Sequence, residues 1–278
     1  GYNNVSVGRG ALWDNTTGTE NTAVGDRALY ANTTASYNTA LGINALYGNT
    51  TGTQNTAVGK NALTTNSTGT NNTASGYEAL KANTTASYNT ASGHQALYTN
   101  TTGHRNVTSG YQSLYYNTTG AYNTASGVYA SYSNTTANNN ISMGYQTLYS
   151  TTTGSDNVAL GYQSLYTNNT GEKNTASGYR ALHVNTTGSY NTASGWSALY
   201  SNSTGSYNVA IGYNAGYSIT TGQFNCCLGY GAEPSSATVD DEVVLGDGHI
   251  VTLRCNTQTI SSLSDARDKT EVEPSPLG

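Results

Sequence analysis

Glycine returns every 17 residues, at Gly8, Gly25, Gly42, Gly59, Gly76, Gly93, Gly110, Gly127, Gly144, Gly161, Gly178, Gly195, Gly212, Gly229 and Gly246, without insertion or deletion. Four positions before each of the first fourteen stands an asparagine, from Asn4 and Asn21 through Asn38, Asn55, Asn72 and Asn89 to Asn225. The typical unit reads N-T-A-(V/S)-G-x-x-A-L-Y-x-N-T-T-(G/A)-x-x. A register held this strictly needs a physical cause. In a solenoid each coil bonds to its neighbours on both sides, so one inserted residue would break pairing in both directions. Random drift of a low-complexity chain would lose phase.

The unit also selects the kind of coil. No stretch carries a sustained apolar stripe at helical spacing, and Gly and Asn interrupt every candidate helix. Two short segments remain per coil, for example 21–24 and 27–30, each about the length of a solenoid strand. They meet at Gly25, where a missing Cβ permits a sharp bend or a close coil contact. The other corner is Asn32-Thr33-Thr34-Ala35, with Asn side chains suited to hold the turn. The expectation is an all-β chain, a β-solenoid (β-roll) of 17-residue coils. Coils rising by about 4.8 Å would make a rod of roughly 65–70 Å.

Ala28/Leu29, Ala45/Leu46, Ala62/Leu63, Ala79/Leu80 and Ala96/Leu97 should face a core, either within one chain or between chains. So thin a column buries little apolar surface, and a homotrimer would cover a second face. The Asn column is expected to satisfy coil backbones and to form ladders. Asn-x-Thr or Asn-x-Ser recurs at Asn15, Asn32, Asn49, Asn66, Asn83, Asn100, Asn117, Asn134, Asn185 and Asn202 because the corner recurs; these corners match glycosylation acceptors and read as exposed, yet are expected to stay unmodified unless the chain enters a eukaryotic secretory route. Aromatics form a broken column through Trp13, Tyr30, Tyr47, Tyr98, Tyr115, Tyr132, Tyr149, Tyr166, Tyr200 and Tyr217. A second set follows the glycine at Tyr77, Tyr145, Tyr162, Tyr179, Tyr213 and Tyr230. Stacked rings can cover coil edges, and Tyr30, Tyr47, Tyr98, Tyr115 and Tyr166 are also candidates for contact with saccharide.

Composition narrows the function. Only 9% of residues are charged and the net charge is −5, which argues against a nucleic-acid surface. No apolar run approaches the roughly 18 residues needed for a spanning helix, so membrane insertion is not expected. Cys226, Cys227 and Cys255 form neither a disulfide framework nor a repeated metal spacing, and Cys226 and Cys227 read as packing residues. No metal or other cofactor is expected. Glu20, Asp26, Glu78, Asp156 and Glu172 are scattered over the coils, which disfavours a polysaccharide-degrading site built on paired carboxylates. Thr22, Thr56, Thr73, Thr90 and Thr124 could instead form a flat ladder of the ice-binding kind. With neither an initiator Met nor a signal-peptide pattern, the chain reads as part of a longer product.

The texture changes after Gly229. Ala232–Asp241 reads as a loop, and Glu242–Leu245 and His249–Arg254 read as strands around a Gly-Asp-Gly turn. The division is a repeat region at 1–231, a cap or modified final coil at 232–256, and a linker leading into a different segment at 257–278. Ser264 stands five positions before Lys269, a nucleophile–base pair if folding brings the two together.

Two resemblances follow from these residues. The Asn-x-(Ala/Val)-x-Gly unit over about 1–229 resembles the head repeats of trimeric autotransporter adhesins and of related phage fibres. That likeness implies a left-handed β-roll trimer, although the adhesin repeat is usually shorter than 17 residues. The segment Leu263–Lys269 resembles the opening of the intramolecular chaperone domain, called peptidase S74, that ends phage tail fibres and tailspikes. The resemblance implies Ser264 as nucleophile, Lys269 as its base, and self-cleavage of the parent chain at Leu263–Ser264, with no activity on an external substrate. Together they imply a bacteriophage tail-fibre segment, extracellular in the assembled virion. Its partners would be two further copies of itself, other fibre or baseplate proteins, and host-surface saccharide. A bacterial adhesin head is the alternative within the same architecture.

Overall fold

The computed structural model describes residues 1–250. Among them, three-residue strands run from Val5–Val7 and Thr22–Val24 to Cys226–Leu228 and Val243–Leu245. They form one 15-stranded parallel sheet in strict sequence order. Every strand pairs with its successor at an offset of one repeat, as in Thr22↔Thr39, Ala23↔Ala40 and Val24↔Leu41. The fold is a parallel β-solenoid, and the compact unit that carries it runs from Gly1 to Asp247. The register continues past Gly229, since Cys226 pairs with Val243 and Leu228 with Leu245. The strand read over His249–Arg254, Cys255, and the Leu263–Lys269 segment with Ser264 and Lys269 fall largely or wholly outside the described residues.

Each coil has one strand and not two. The expected second strand, Arg27–Tyr30, is a run of turns. Arg27 and Leu29 sit at φ 55° and 51° on either side of Ala28, which is not in the positive-φ region, and the same alternation recurs in later coils. The consequence shows in burial. A strand sends adjacent side chains to opposite faces, yet Ala28 and Leu29 are both fully buried. The alternation of positive-φ residues with others curls the backbone so that both point inward. Backbone N–H groups in this arc donate to the next or previous coil, as Leu29 does to the Ala45 carbonyl at 3.0 Å and Arg27 to the Arg9 carbonyl at 2.9 Å.

The strand's middle residue completes the interior. Ala23, Ala40 and Ala57 are buried opposite Leu29, Leu46 and Leu63, so the Leu and Ala columns make their core within a single chain. Two clusters result, one reaching Ala130 and the other starting at Leu148. Between them Ser131 replaces a Leu and Ser142 an Ala, and the two buried hydroxyls bond each other at 2.8 Å. The glycine column is fixed by contact between coils. A Cβ on Gly25, at φ 135°, would lie 2.5 Å from the Gly42 carbonyl oxygen, closer than any side chain tolerates.

Candidate functional site

Asparagine supplies the polar half of the interior. The Asn21 Nδ2 donates to the Ala35 carbonyl at 2.9 Å, and its Oδ1 accepts the backbone N–H of Asn38 at 2.9 Å. Asn38, Asn55, Asn72 and Asn89 repeat this pattern coil after coil. The corner asparagines form a second ladder. Asn49 Nδ2 donates to Asn32 Oδ1 at 3.1 Å and to the Gly52 carbonyl at 2.9 Å. This corrects the reading of the Asn-x-Thr corners as exposed acceptors. Asn32, Asn49, Asn66, Asn83, Asn100, Asn117, Asn134, Asn185 and Asn202 are fully buried, and only Asn15, in the first coil, is half-buried. Their amides are structural donors and offer no free nitrogen to a transferase. The ladder ends where its residue changes: Asn202 Oδ1 has no partner, because Ile219 stands in the next coil.

The aromatic columns lie outside this core as π-stacks. Tyr30 and Tyr47 stack at 5.3 Å between centroids. A longer run goes from Tyr98 and Tyr115 (4.9 Å) through Tyr149 and Tyr166 (5.2 Å) to His183, Tyr200 and Tyr217, with the last two steps at 5.1 Å. The second column stacks likewise from Tyr145 and Tyr162 through Tyr179 and Trp196 to Tyr230. Burial raises the phenols of Tyr115 and Tyr149, and burial, with a hydrogen bond to Tyr116 that favours the protonated phenol, pushes Tyr132 up to about 12. These three phenols are therefore neutral hydroxyls at physiological pH.

A third aromatic column escaped the sequence reading. Tyr37, Tyr88, Tyr122, Tyr190, Tyr207 and Phe224 each precede a ladder asparagine and sit at positive φ. Tyr190, Tyr207 and Phe224 stack at 4.9 Å per step, while the Arg105 guanidinium lies 5.6 and 5.3 Å from the Tyr88 and Tyr122 rings. The fixed position before Asn was the available signal.

Stacking decides what these rings can offer a ligand. Sugars dock against the open face of an aromatic ring, and within a ladder each face is covered by the next ring. Of the five candidate tyrosines, Tyr30 lies between Trp13 and Tyr47, Tyr115 between Tyr98 and Tyr132, and Tyr166 between Tyr149 and His183. Tyr98 has Tyr115 on one side and the Lys81 ammonium, 5.3 Å from its ring centroid, on the other. Tyr47 differs. Its next neighbour in the column is Thr64, and a cleft of about 300 Å³ opens there, lined by Arg27, Asn44, Tyr47 and Thr64. A second cleft of about 250 Å³ lies beside Arg9, Gly10, Trp13, Arg27 and Tyr30.

Between the two aromatic columns runs a line of amides. Asn44 donates to Asn61 at 3.2 Å, Gln95 to the Glu78 carboxylate at 2.9 Å, and Gln112 to Gln95 at 2.7 Å. Burial pushes the Glu78 carboxyl up, but hydrogen bonds from Lys81, Gln95 and Asn61 more than offset it and hold the group below its ordinary range. Asp26 pairs with Arg9 at 3.0 Å on the surface. Among the described residues no group of three or more His, Cys, Asp and Glu side chains comes together to hold a metal. Cys226 and Cys227 are free thiols, and burial pushes the Cys227 thiol up to about 12, consistent with a packing role. No protein-family model, curated protein or solved structure matches the chain.

Proposed function

We propose that this chain is the shaft or head segment of a homotrimeric surface fibre, a bacteriophage tail fibre, giving rigid reach and contact with cell-surface glycan. The observation that carries the reading is the unbroken parallel register from Val5 to Leu245, which builds an elongated rod with its core inside each coil. The sheet's outward face supports association, since Val24, Leu41, Val58 and, further along, Ile211 and Leu245 are exposed apolar side chains on it. Packing three such faces about one axis would bury them. Under this reading the assembled fibre is extracellular, its other partners are fibre or baseplate proteins, and the parent chain cuts itself between Leu263 and Ser264 with Lys269 as base. A bacterial adhesin head would share the same architecture.

Light scattering on the purified protein tests the trimer. A native mass three times the chain's 29.0 kDa supports the fibre reading. A particle of one chain's mass contradicts it and favours a second reading, in which the flat sheet acts alone. The aligned Thr22, Thr39 and Thr56, each paired with the next across the sheet, would then present a regular hydroxyl row of the ice-binding kind. Thermal hysteresis of the protein solution would be its readout.

A further inference from the structure

The glycan reading above names no site, and the break in the first aromatic column supplies one. We propose that the cleft at Thr64 is a subsite for a single acidic pyranose, a uronic-acid residue of a surface polysaccharide, which takes the place of the missing ring.

Three features point to this occupant. The first is the face of Tyr47, which Tyr30 covers on one side and only the short Thr64 adjoins on the other. A pyranose has an apolar C–H face that packs on such a ring. The second is the polar lining. Asn44 and Asn61 bond each other at 3.2 Å, and Thr64 Oγ1 donates to the Asn61 carbonyl at 2.7 Å. Of the two amides Asn44 lines the cleft, and it retains a donor and its acceptor oxygen beyond the bond to Asn61, since an amide side chain has two donors and two lone pairs. A sugar's edge hydroxyls would use that capacity, whereas a purely aromatic ligand would bury it unpaired.

The third is charge. Arg9 is paired with Asp26, and Lys81 with Glu78. Arg27 lines the cleft, and among the described residues its guanidinium makes no hydrogen bond or ion pair, feeling Asp26 only at longer range. A planar guanidinium fork suits a carboxylate better than a hydroxyl, which selects the acidic sugar from among pyranoses.

The solenoid provides its own test variants. Thr64→Tyr installs the residue that the column carries at Tyr47 and Tyr98, so the coil already accepts it, and the new ring would fill the cleft. Arg27→Gln installs the residue found at the equivalent Gln95, Gln112, Gln146 and Gln163, all at the same positive φ. Saturation-transfer NMR would use a glucuronate–N-acetylglucosamine tetrasaccharide and its carboxyl-reduced counterpart as probes. The wild type should bind the acidic probe about tenfold more tightly than the reduced one, the scale of one charge-assisted hydrogen bond. Arg27→Gln should erase that difference while still binding the reduced probe, and Thr64→Tyr should lose both.

Binding by Thr64→Tyr at wild-type strength would overturn the proposal, as would a wild type that binds neither probe. This inference rests on the glycan half of the fibre reading, and the two can fail separately. A trimer that adsorbs to cells equally well with Tyr at position 64 keeps the fibre and removes the cleft. A monomer that binds the probes through the cleft does the reverse.

Discussion

Asn71 and Asn72 are adjacent and chemically identical, yet the structure gives them opposite weights. Asn72 is fully buried. Its Nδ2 donates to the Ala86 carbonyl at 2.8 Å and to Asn55 Oδ1 at 3.2 Å, while its Oδ1 accepts the Asn89 N–H at 3.0 Å. Asn71 is half-exposed and donates only to Thr70 Oγ1 at 3.2 Å. Its column already accepts acid, at Asp156 and Asp241. Replacing either amide by a carboxylate changes almost nothing in size. Asn72→Asp, however, leaves the acceptor toward Asn89 intact and sets an ionised oxygen against two other acceptors.

An unpaired buried charge costs about 3–5 kcal/mol, whereas a surface substitution falls within about 0.5 kcal/mol. Spread over a pKa, the larger figure raises the new carboxyl by roughly 2–4 units above its ordinary value near 3.9. A raised folded-state pKa means that the protonated form fits the fold, so stability is fully present below the unfolded value and is lost as pH rises through the folded one. Urea titrations followed by circular dichroism should therefore show Asn72→Asp destabilised by about 3–5 kcal/mol at pH 7 and recovering as pH falls toward about 5. Asn71→Asp should track the wild type at both. If the two variants behave alike, the ladder is incidental and the argument that it holds the coils fails.

Three further outcomes follow. Gly76→Ala would place a methyl 2.4 Å from the Gly93 carbonyl oxygen at φ 134°; it should cost at least about 3 kcal/mol, read as a lower urea midpoint or loss of soluble protein. Ser131→Leu with Ser142→Ala rejoins the two apolar clusters and should raise the midpoint by the worth of one buried Leu, about 1.5–3 kcal/mol; a lower midpoint would mean that neighbouring groups have closed the space. Glu78, held below its ordinary value of 4.5, contributes stability that is present above that value and fades as pH drops through the folded one. Glu78→Gln should accordingly flatten the acid limb of an unfolding curve, and an unchanged limb would show that the Lys81 pair adds nothing.

The parts of the fold legible in the sequence are those in which one residue type has no substitute. Only glycine fits where coils touch at Gly25 and Gly42, and only an amide both donates and accepts as Asn38 does, so these columns never vary enough to hide. Arg27–Tyr30 misled because its length, between two turn-forming corners, matches that of a solenoid strand. The correcting signal was present: no Thr, Val or Ile occupies any of the positive-φ positions, although Thr crowds the rest of the unit. Branching at Cβ makes the left-handed region costly. Burial of the corner asparagines was hidden for a different reason. Asn49 is enclosed by Asn32 and Asn66 in the adjacent coils, and a single unit read alone looks like an ordinary exposed turn. The Thr64 cleft likewise exists only as a gap in a column, visible once the rings on either side are known to stack.

The claim on which the rest depends is that stacked, buried asparagine amides bind coil to coil. Protein labelled with ¹⁵N at asparagine, transferred to D₂O and followed by two-dimensional NMR, measures this directly. Two populations of side-chain amides are expected. Those of the ladders, such as Asn55, Asn72 and Asn100, should persist for hours, while exposed ones such as Asn138 and Asn169 should vanish at once. Exchange of every asparagine amide within the dead time would contradict that claim.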